Sequence, residues 1–347
     1  MKQLFIGLDV HKKTWSVTLQ QDKVILKRFS MEAKADSLID YVSKHYKGYT
    51  IECCYEACCC GFHIYRDLSK AGYKVLVVNP GDIPRVHKQS TTKTDKLDSR
   101  HLAVQLASGH LSGIYVPDEQ QEQLRSLFRR KNDLVKGLRR IKSHIKSMLL
   151  YYGILLPEKY DTVTWSKDMI HWIGELKWKY LPAAQAMNSR IEEYLFLHKA
   201  YLDVCNELRS YARKNYKMDY CLLRSIPGVG PFTAIGLLAE VGDIRRFKSI
   251  DHLSSYIGLI PSVHSSGEKS YTRGITYRSK SLLRSYLIEG AWIAAKKDPE
   301  LMQYYNGRKG CDHRKLIVKM AAKTLSRIYS VIKRGQPFKM HEPSVAL

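Results

Sequence analysis

A mostly apolar run near the start of the chain, Leu4 to Val10, constrains the fold more than any other stretch. Its composition is typical of a central strand, and Asp9 near its end would be delivered to the surface of a sheet. Alternating polarity after it predicts two more strands, which form an antiparallel meander and cover residues 14–19 and 24–29. The pattern beyond predicts helix, strand, helix and strand, over residues 34–46, 49–55, 62–71 and 74–78.

The predicted element order is βββαβαβ, which indicates an α/β domain. If the connection between the first and fourth strands crosses over in the usual right-handed sense, these two strands are parallel neighbours. Asp9 and Glu56, which follows the fourth strand, would then project side by side. Each acid also has an ordinary explanation, at a strand end for Asp9 and at a helix entry for Glu56.

The segment KTDKLDSRH, residues 93–101, adds two acids. Asp95 and Asp98 are three residues apart at the start of a predicted helix, so they share one helix face. Four carboxylates from three elements suit a two-ion site, in which Mg²⁺ or Mn²⁺ ions roughly 4 Å apart clamp a phosphate. Solvated acids favoured by the helix dipole are the alternative. We expect His11 and His101 to be neighbours of the site, because imidazole is a softer ligand than Mg²⁺ prefers.

The composition favours a polyanionic partner. Lysine and arginine number 57 against 33 acids, a formal net charge of +24, and nucleic acid is the leading partner class. No apolar run could span a membrane and no signal pattern follows Met1, so we expect a cytoplasmic, nucleoid-associated protein without a membrane partner.

Five of the eight cysteines lie at 53, 54 and 58–60 without a C-x-x-C pair. We interpret these cysteines as small buried apolar residues of a protein from a reducing compartment, in preference to a metal or redox site.

A long basic helix is predicted from Gln123 onward, because apolar residues recur at steps of three and four as in a coiled coil. The predicted seam is Leu124, Leu127, Lys131, Leu134, Leu138, Ile141, Ile145, Met148 and Tyr152. The cations between the seam positions are Arg125, Arg129, Arg130, Lys136, Arg139, Arg140, Lys142 and Lys146. A face of one charge favours contact with a nucleic-acid backbone, and a merely soluble basic helix is the alternative.

A second seam, from Met187 to Ala212, follows a connector over residues 153–181. Two helices of similar length around a connector would form an antiparallel hairpin or supply a dimer contact, and the sequence leaves both open.

The last part of the chain opens with IPGVG, residues 226–230, a turn typical of a helix-hairpin-helix motif. Backbone N–H groups at Gly228 and Gly230 would suit a phosphate. Further on, Ser265 and Ser266 lie in a predicted loop. Cations able to hold a phosphate near a hydroxyl follow them, at Arg273, Arg278 and Arg284. Helices over residues 281–295 and 313–333 complete a mostly α region, and the predicted domains are 1–115, 116–218 and 219–347.

Five motifs in this order resemble the DEDD-motif transposases of insertion sequences, relatives of the Piv-type DNA invertases. They are GLDVHK at Asp9, YEA at Glu56, KTDKLDSRHLA at Asp95 and Asp98, IPGVGPFTA in the glycine turn, and GLIPSVHSSGEK at Ser266. The resemblance covers nearly the whole chain.

The resemblance implies an N-terminal domain of the RNase H fold, similar to the Holliday-junction resolvase RuvC. Its DEDD quartet would be Asp9, Glu56, Asp95 and Asp98, with Mg²⁺ as cofactor. It also implies a helical C-terminal transposase domain whose serine forms a covalent phosphoserine with DNA. By its position before the glycine, Ser266 is the expected nucleophile, and the neighbouring Ser265 is its rival.

Family members are guided by a structured non-coding RNA that pairs with donor and target DNA, so the resemblance implies both nucleic acids as partners. Because quartet and serine lie on different domains, we expect a homo-oligomer, a dimer or tetramer. The first alternative is a metal-dependent endonuclease of the Holliday-junction type without serine catalysis. The second is a nucleic-acid-binding protein that no longer catalyses a reaction.

Overall fold

The computed structural model describes residues 2–84, 95–162, 164–266, 269–275, 279–308, 310 and 312–340. The chain divides into two compact units, Met1–Val116 and Pro117–Leu347. The division into three domains, with boundaries after residues 115 and 218, stays a prediction. No helix in the described ranges combines the length and the apolar character that crossing a bilayer requires.

The first unit is built on a five-stranded mixed sheet of order β3-β2-β1-β4-β5. The strands are β1 (Gln3–Val10), β2 (Thr14–Gln21), β3 (Val24–Glu32), β4 (Thr50–Glu56) and β5 (Lys74–Val78). The helices are α1 (Ala35–His45), α2 (His63–Lys70) and α3 (Asp95–Ala107). The predicted βββαβαβ order is confirmed, and so is the parallel pairing of β1 with β4.

The two faces of the sheet are covered by different helices. Even-numbered residues of β1, such as Ile6, pack with Leu38 of α1 and Leu68 of α2. Odd-numbered residues face the other way, where Phe5 lies against a cluster that includes Leu102 of α3. This alternation follows from the two-residue period of a strand, and it makes β1 the centre of a three-layered unit.

Helix α3 lies close against β1 because Gly7 has no side chain. A Cβ added at Gly7 would lie 2.5 Å from the backbone nitrogen of Ala103 and nearer still to the Ser99 carbonyl oxygen. The Ser99 hydroxyl also forms a 3.0 Å hydrogen bond with Thr18 of β2. The position of α3 on the sheet is therefore set by backbone contact and by a buried polar pair.

The second unit begins with two long helices that form an antiparallel hairpin. These are α4 (Glu119–Tyr151) and α6 (Leu181–Asn215), with the short α5 (Lys167–Gly174) between them. Lys131 of α4 lies over the ring of Tyr201, whereas Arg190 reaches the carbonyl of His144, so the residue numbers run in opposite directions. Of the two arrangements that the sequence left open, the described chain has the hairpin.

The predicted seam of α4 is partly correct. Leu124, Lys131, Leu134, Ile141 and Ile145 are buried, as predicted. Tyr152 is 52% exposed, so its prediction as a seam residue was wrong. Phe128 and Leu149 are buried in addition, because α4 packs against α8 (Pro231–Glu240) at one end and against α5 at the other as well as against α6.

The remaining helices surround a second large core. They are α7 (Lys217–Arg224), α8, α9 (Ile250–Ile257), α10 (Ser281–Lys297), α11 (Pro299–Asn306) and α12 (His313–Arg334). A two-stranded hairpin of β6 (Pro261–Ser266) and β7 (Lys269–Ile275) joins α9 to α10. The predicted loop at Ser265 and Ser266 is thus a strand, because residues 269–275 supply a pairing partner that local sequence does not reveal.

Candidate active site

Asp9 and Glu56 occupy equivalent positions at the ends of two parallel neighbouring strands. Leu8 of β1 pairs with Tyr55 of β4, and each acid is the next residue of its strand. Neighbouring strands are about 4.8 Å apart, so the two acids lie side by side in the sheet.

Both acids face helix α3. Gly7 and Cys54 lie two residues before them, and both contact this helix. Gly7 lies against the backbone of Ser99, and the Cys54 thiol lies 3.5 Å from the carbonyl oxygen of Leu102. Because side chains two residues apart on a strand share a face, the carboxylates project on the same side of the sheet.

Helix α3 carries the other two acids of the predicted quartet. Asp98 is half-buried in the first turn and directly precedes Ser99, which is 2% exposed and bonded to β2. Asp95 is the first residue of α3, but its side chain lies outside the described part of the structure. Three described carboxyl groups thus belong to elements that meet on one face of the sheet.

The two histidines of this region have neighbours of their own. The Nε2 atom of His11 lies 3.2 Å from an Asp9 carboxylate oxygen, and the Asp9 side chain is 20% exposed. The Nε2 atom of His101 lies 2.7 Å from the carbonyl oxygen of Pro84. His11 is therefore placed to orient Asp9, and its expected role as a neighbour of the site stays a prediction.

The carboxyl groups offer the ligand type of a hard divalent cation, but among the described residues Asp9, Glu56 and Asp98 do not converge as a three-ligand group, and their assignment to a metal stays a prediction. Carboxylate oxygens are the ligands that Mg²⁺ and Mn²⁺ prefer, and partial burial strengthens their attraction for a cation. Asp9, Glu56 and Asp98 are all partly buried, so each keeps some access to solvent.

The cysteines beside Glu56 do not form one buried group. Cys53 and Cys54 are buried as predicted, and burial raises the pKa of each thiol. The prediction was wrong for Cys58 and Cys59, which are exposed, because β4 ends at Glu56 and the chain leaves the sheet before it reaches them. Burial raises the pKa of the half-buried Cys60 to about 11.

The serines implied by the family resemblance lie in the second unit. Ser266 pairs with Lys269 and Ser265 with Ser270 across the hairpin. The side chains of these residues and of Arg273 lie outside the description, as does all of Arg278. Arg284 is described, and its guanidinium donates to the Gly258 carbonyl at 3.2 Å.

Two arginines of the basic helix bind a buried acid of the same unit. Arg129 donates two hydrogen bonds to the carboxylate of Glu240 on α8, at 2.7 and 3.0 Å. Arg125 lies 3.7 Å from the same carboxylate and donates to the Ala239 carbonyl. Glu240 itself is 4% exposed, so these two arginines tie α4 to α8. Sequence reasoning missed this role, since nothing near α4 in the chain indicates a buried acid more than 100 residues later.

The other cations of α4 are more accessible. Arg130, Lys136, Arg139 and Arg140 are exposed, and Lys146 forms a 3.0 Å ion pair with Asp161. Lys142 is half-buried over the ring of Trp165, and burial lowers its pKa. The exposed members form the part of this helix that a phosphate backbone can reach, and their assignment to nucleic acid stays a prediction.

The glycine turn between α7 and α8 is shaped by packing. Gly228 has φ of +83°, and an added Cβ there would overlap the Gly290 carbonyl of α10. Gly230 caps the start of α8 with extended backbone. Gly228 is therefore required by the close approach of two backbones, whatever the turn binds.

Two family models match the chain in consecutive regions. A DEDD-type transposase model for IS110 elements matches residues 6–154, and a model described as "Transposase IS116/IS110/IS902 family" matches residues 220–306. The first region contains Asp9, Glu56, Asp95 and Asp98, and the second contains Ser266.

Individual relatives have related names. A Sinorhizobium fredii protein with a transposase name, y4qE, is 31% identical over 69% of this chain and 57% of its own length. The transposase of insertion sequence element IS1111A from Coxiella burnetii is 29% identical over 68% of this chain and 64% of its own length. A pilin gene-inverting protein of Moraxella lacunata is 34% identical over 37% of this chain and 41% of its own length. The chain thus spans less than two thirds of the length of each of these relatives.

Proposed function

Because the chain belongs to the IS110/IS116 family of insertion-sequence transposases, we propose that it is a DNA transposase that cuts and rejoins DNA strands. The observation that carries the proposal is the pair of acids at equivalent ends of β1 and β4, facing the helix that carries Asp98. A DEDD transposase domain implies dependence on a divalent metal and an RNase H-like fold, and the mixed sheet of the first unit agrees with that fold.

The acids would hold Mg²⁺, with Mn²⁺ as a substitute. A bound divalent cation would neutralise charge that develops on the scissile phosphate. The protein's own part is to hold the carboxylates at fixed spacing. Asp9 and Glu56 are held by strand pairing, Asp98 is held by the seat of α3 on Gly7, and His11 orients Asp9.

Ser266 is the proposed nucleophile, with Ser265 as its rival. The serine oxygen attacks the scissile phosphorus, the bond from phosphorus to the leaving deoxyribose oxygen breaks, and the serine proton passes to a base while the leaving oxygen gains a proton. A hydroxyl of a second strand then attacks the phosphoserine and releases the serine. One phosphoester bond replaces another in each step, so no nucleotide cofactor is consumed.

We further propose that donor and target DNA are selected through a structured guide RNA, and that the enzyme acts as a homo-oligomer, a dimer or tetramer. The net charge of +24 and the exposed cations of α4 support a nucleic-acid partner. If base pairing selects the target, the protein itself needs to read only backbone and shape.

The experiment is a covalent-adduct assay with end-labelled DNA that carries the element ends, in Mg²⁺ and with the element's own transcript. After denaturation, wild-type protein should retain label, and Ser266→Ala should retain none. Ser265→Ala serves as the matched control and should keep the adduct. An adduct lost only in Ser265→Ala would instead make that residue the nucleophile.

The acid site is tested by Glu56→Gln with Glu52→Gln as its control. Both glutamates lie on the same face of β4, but Glu52 lies near the start of the strand and Glu56 at its end. The Glu52 carboxylate forms a 2.7 Å ion pair with Lys74 and accepts a hydrogen bond from Gln3. Glu56→Gln should abolish strand cleavage while DNA binding persists, whereas Glu52→Gln should cleave normally. Equal activity of the two variants would refute the acid site.

The endonuclease alternative predicts a different pattern. Cleavage of a branched DNA that persists in both serine variants, without any adduct, would favour metal-assisted hydrolysis by the acid site alone.

A further inference from the structure

Three consecutive cysteines, Cys58, Cys59 and Cys60, bring their sulfur atoms together beside the acid site. All three sulfur atoms lie within 4.8 Å of one another. Cys58 and Cys59 are exposed and Cys60 is half-buried, so the group is open to solvent. The sequence predicted buried residues at these positions, and the transposase reaction proposed above does not use them.

The loop that holds the sulfur atoms is anchored to the sheet. The thiols of Cys58 and Cys60 point to one acceptor, the carbonyl oxygen of Val10, at 3.9 and 3.8 Å. The hydroxyl of the buried Tyr55 donates to the carbonyl of Gly61 at 3.1 Å, and Gly61 has φ of +72°. The loop therefore turns sharply at Gly61 and directs two thiols to one point at the end of β1.

A backbone contact also positions one sulfur. The N–H of Cys60 donates to the Cys58 sulfur at 3.4 Å. A hydrogen bond of this kind fixes the orientation of a ligand, in the same way as outer partners orient other metal ligands.

The spacing suits one thiophilic ion. Zinc–sulfur bonds of about 2.3 Å require tetrahedral sulfur atoms to lie about 3.8 Å apart, so the three thiols need only small rotations to reach one ion. A disulfide is less suited to the adjacent pairs Cys58–Cys59 and Cys59–Cys60, since consecutive Cα atoms are about 3.8 Å apart and a disulfide usually needs about 4.4 Å or more. This restriction does not apply to Cys58 and Cys60, which are not adjacent, so the test below includes a disulfide within the loop. Described cysteines are all free thiols.

We propose that Cys58, Cys59 and Cys60 form a binding site for one thiophilic divalent cation of the zinc class, distinct from the Mg²⁺ site of the neighbouring acids. On binding, three sulfur–metal bonds form, three thiol protons pass to solvent, and a water molecule fills the fourth position. No electron is transferred. Hard oxygen ligands select Mg²⁺ and soft thiolates select zinc-class ions, so the two sites can be occupied independently.

The test is a titration of the reduced, full-length protein with Cd²⁺ in excess Mg²⁺, followed by the ultraviolet charge-transfer absorption of cadmium thiolates. Absorption should saturate at one equivalent and be displaced by Zn²⁺. Cys59→Ser should weaken binding by more than the roughly 10–100-fold that loss of an outer partner causes. The triple variant with serine at all three positions should lose the signal.

Controls separate this site from the rest of the molecule. Cys221→Ser removes an exposed thiol elsewhere and should leave the titration unchanged, as should Asp9→Asn at the acid site. Circular dichroism checks that the variants are folded. Absorption that survives in the triple variant, or a mass showing that the isolated protein has lost two hydrogens as a disulfide within this loop, would overturn the proposal. Neither result would bear on the proposed transposase activity.

Discussion

The close packing of helix α3 against strand β1 can be tested by Gly7→Ala. The new Cβ would lie 2.5 Å from the backbone nitrogen of Ala103 and nearer to the carbonyl oxygen of Ser99. Both obstructing atoms belong to the backbone, so no side-chain rotation relieves the overlap and the helix must move as a whole. Protein interiors hold little free volume that could take up the added atom. Helix α3 must therefore move about 1 Å away from β1 to restore ordinary contact distances.

Two effects follow from this displacement. Overpacking of this kind costs about 1–3 kcal/mol in the free energy of unfolding. Asp98 directly precedes Ser99 and moves with the helix, whereas Asp9 and Glu56 stay with the sheet. A shift of about 1 Å in a catalytic group can cost roughly 100-fold in rate, so we expect a folded variant that cleaves DNA about 100 times more slowly.

The assay is urea unfolding followed by circular dichroism, together with single-turnover DNA cleavage in Mg²⁺. Gly174→Ala, at the end of α5, is the control, since an added Cβ there meets nothing within 4 Å. It should match wild type in both measurements. A Gly7→Ala protein with wild-type stability and rate would refute the described contact between α3 and β1.

Three further predictions concern charge. Burial opposes ionisation of Glu240, but Arg129 and neighbouring cations outweigh this effect and lower the pKa of Glu240. The free energy of unfolding should therefore decrease as pH falls below 4.5. Glu240→Gln should remove this acid dependence and lower the free energy of unfolding by about 1–3 kcal/mol at neutral pH. Burial lowers the pKa of Lys131, so stability should rise with pH toward 10.5, and Lys131→Met should flatten that rise in urea titrations. Arg139→Ala should reduce the slope of log affinity for DNA against log salt by about 1, whereas Arg125→Ala, at a side chain only 13% exposed, should mainly lower stability.

Each charge prediction has a contrary result. An acid-unfolding midpoint that Glu240→Gln leaves unchanged would exclude a depressed pKa at this carboxylate. Equal pH profiles for wild type and Lys131→Met would show that the lysine is solvated. Equal salt slopes for wild type and Arg139→Ala would mean that this face of α4 does not contact phosphates.

Several features of the first unit could be predicted from sequence because they are local. Strand and helix periodicity determined the element order, and the right-handed crossover rule then made β1 and β4 neighbours. The side-by-side position of Asp9 and Glu56 followed from that pairing alone. The resemblance to DEDD-motif transposases likewise followed from short motifs read in order, and two transposase family models match the regions that contain them.

Other features depend on contacts between distant residues, which a local pattern does not contain. The sequence pattern predicted that Arg125 and Arg129 belong to a basic face that contacts nucleic acid, but a buried glutamate of α8 binds both. Gly228 read as a phosphate-binding turn, but it is also required by the close approach of α10.

The amino-acid sequence by itself determined the order of the elements, the carboxylates that end them and the excess of positive charge. Only the tertiary structure decided which cations are used within the protein, that the serine segment pairs as a strand, and that three thiols converge beside the acids. The physical reason is that periodicity is a property of neighbouring residues, whereas burial and charge pairing depend on which surfaces the folded chain brings together.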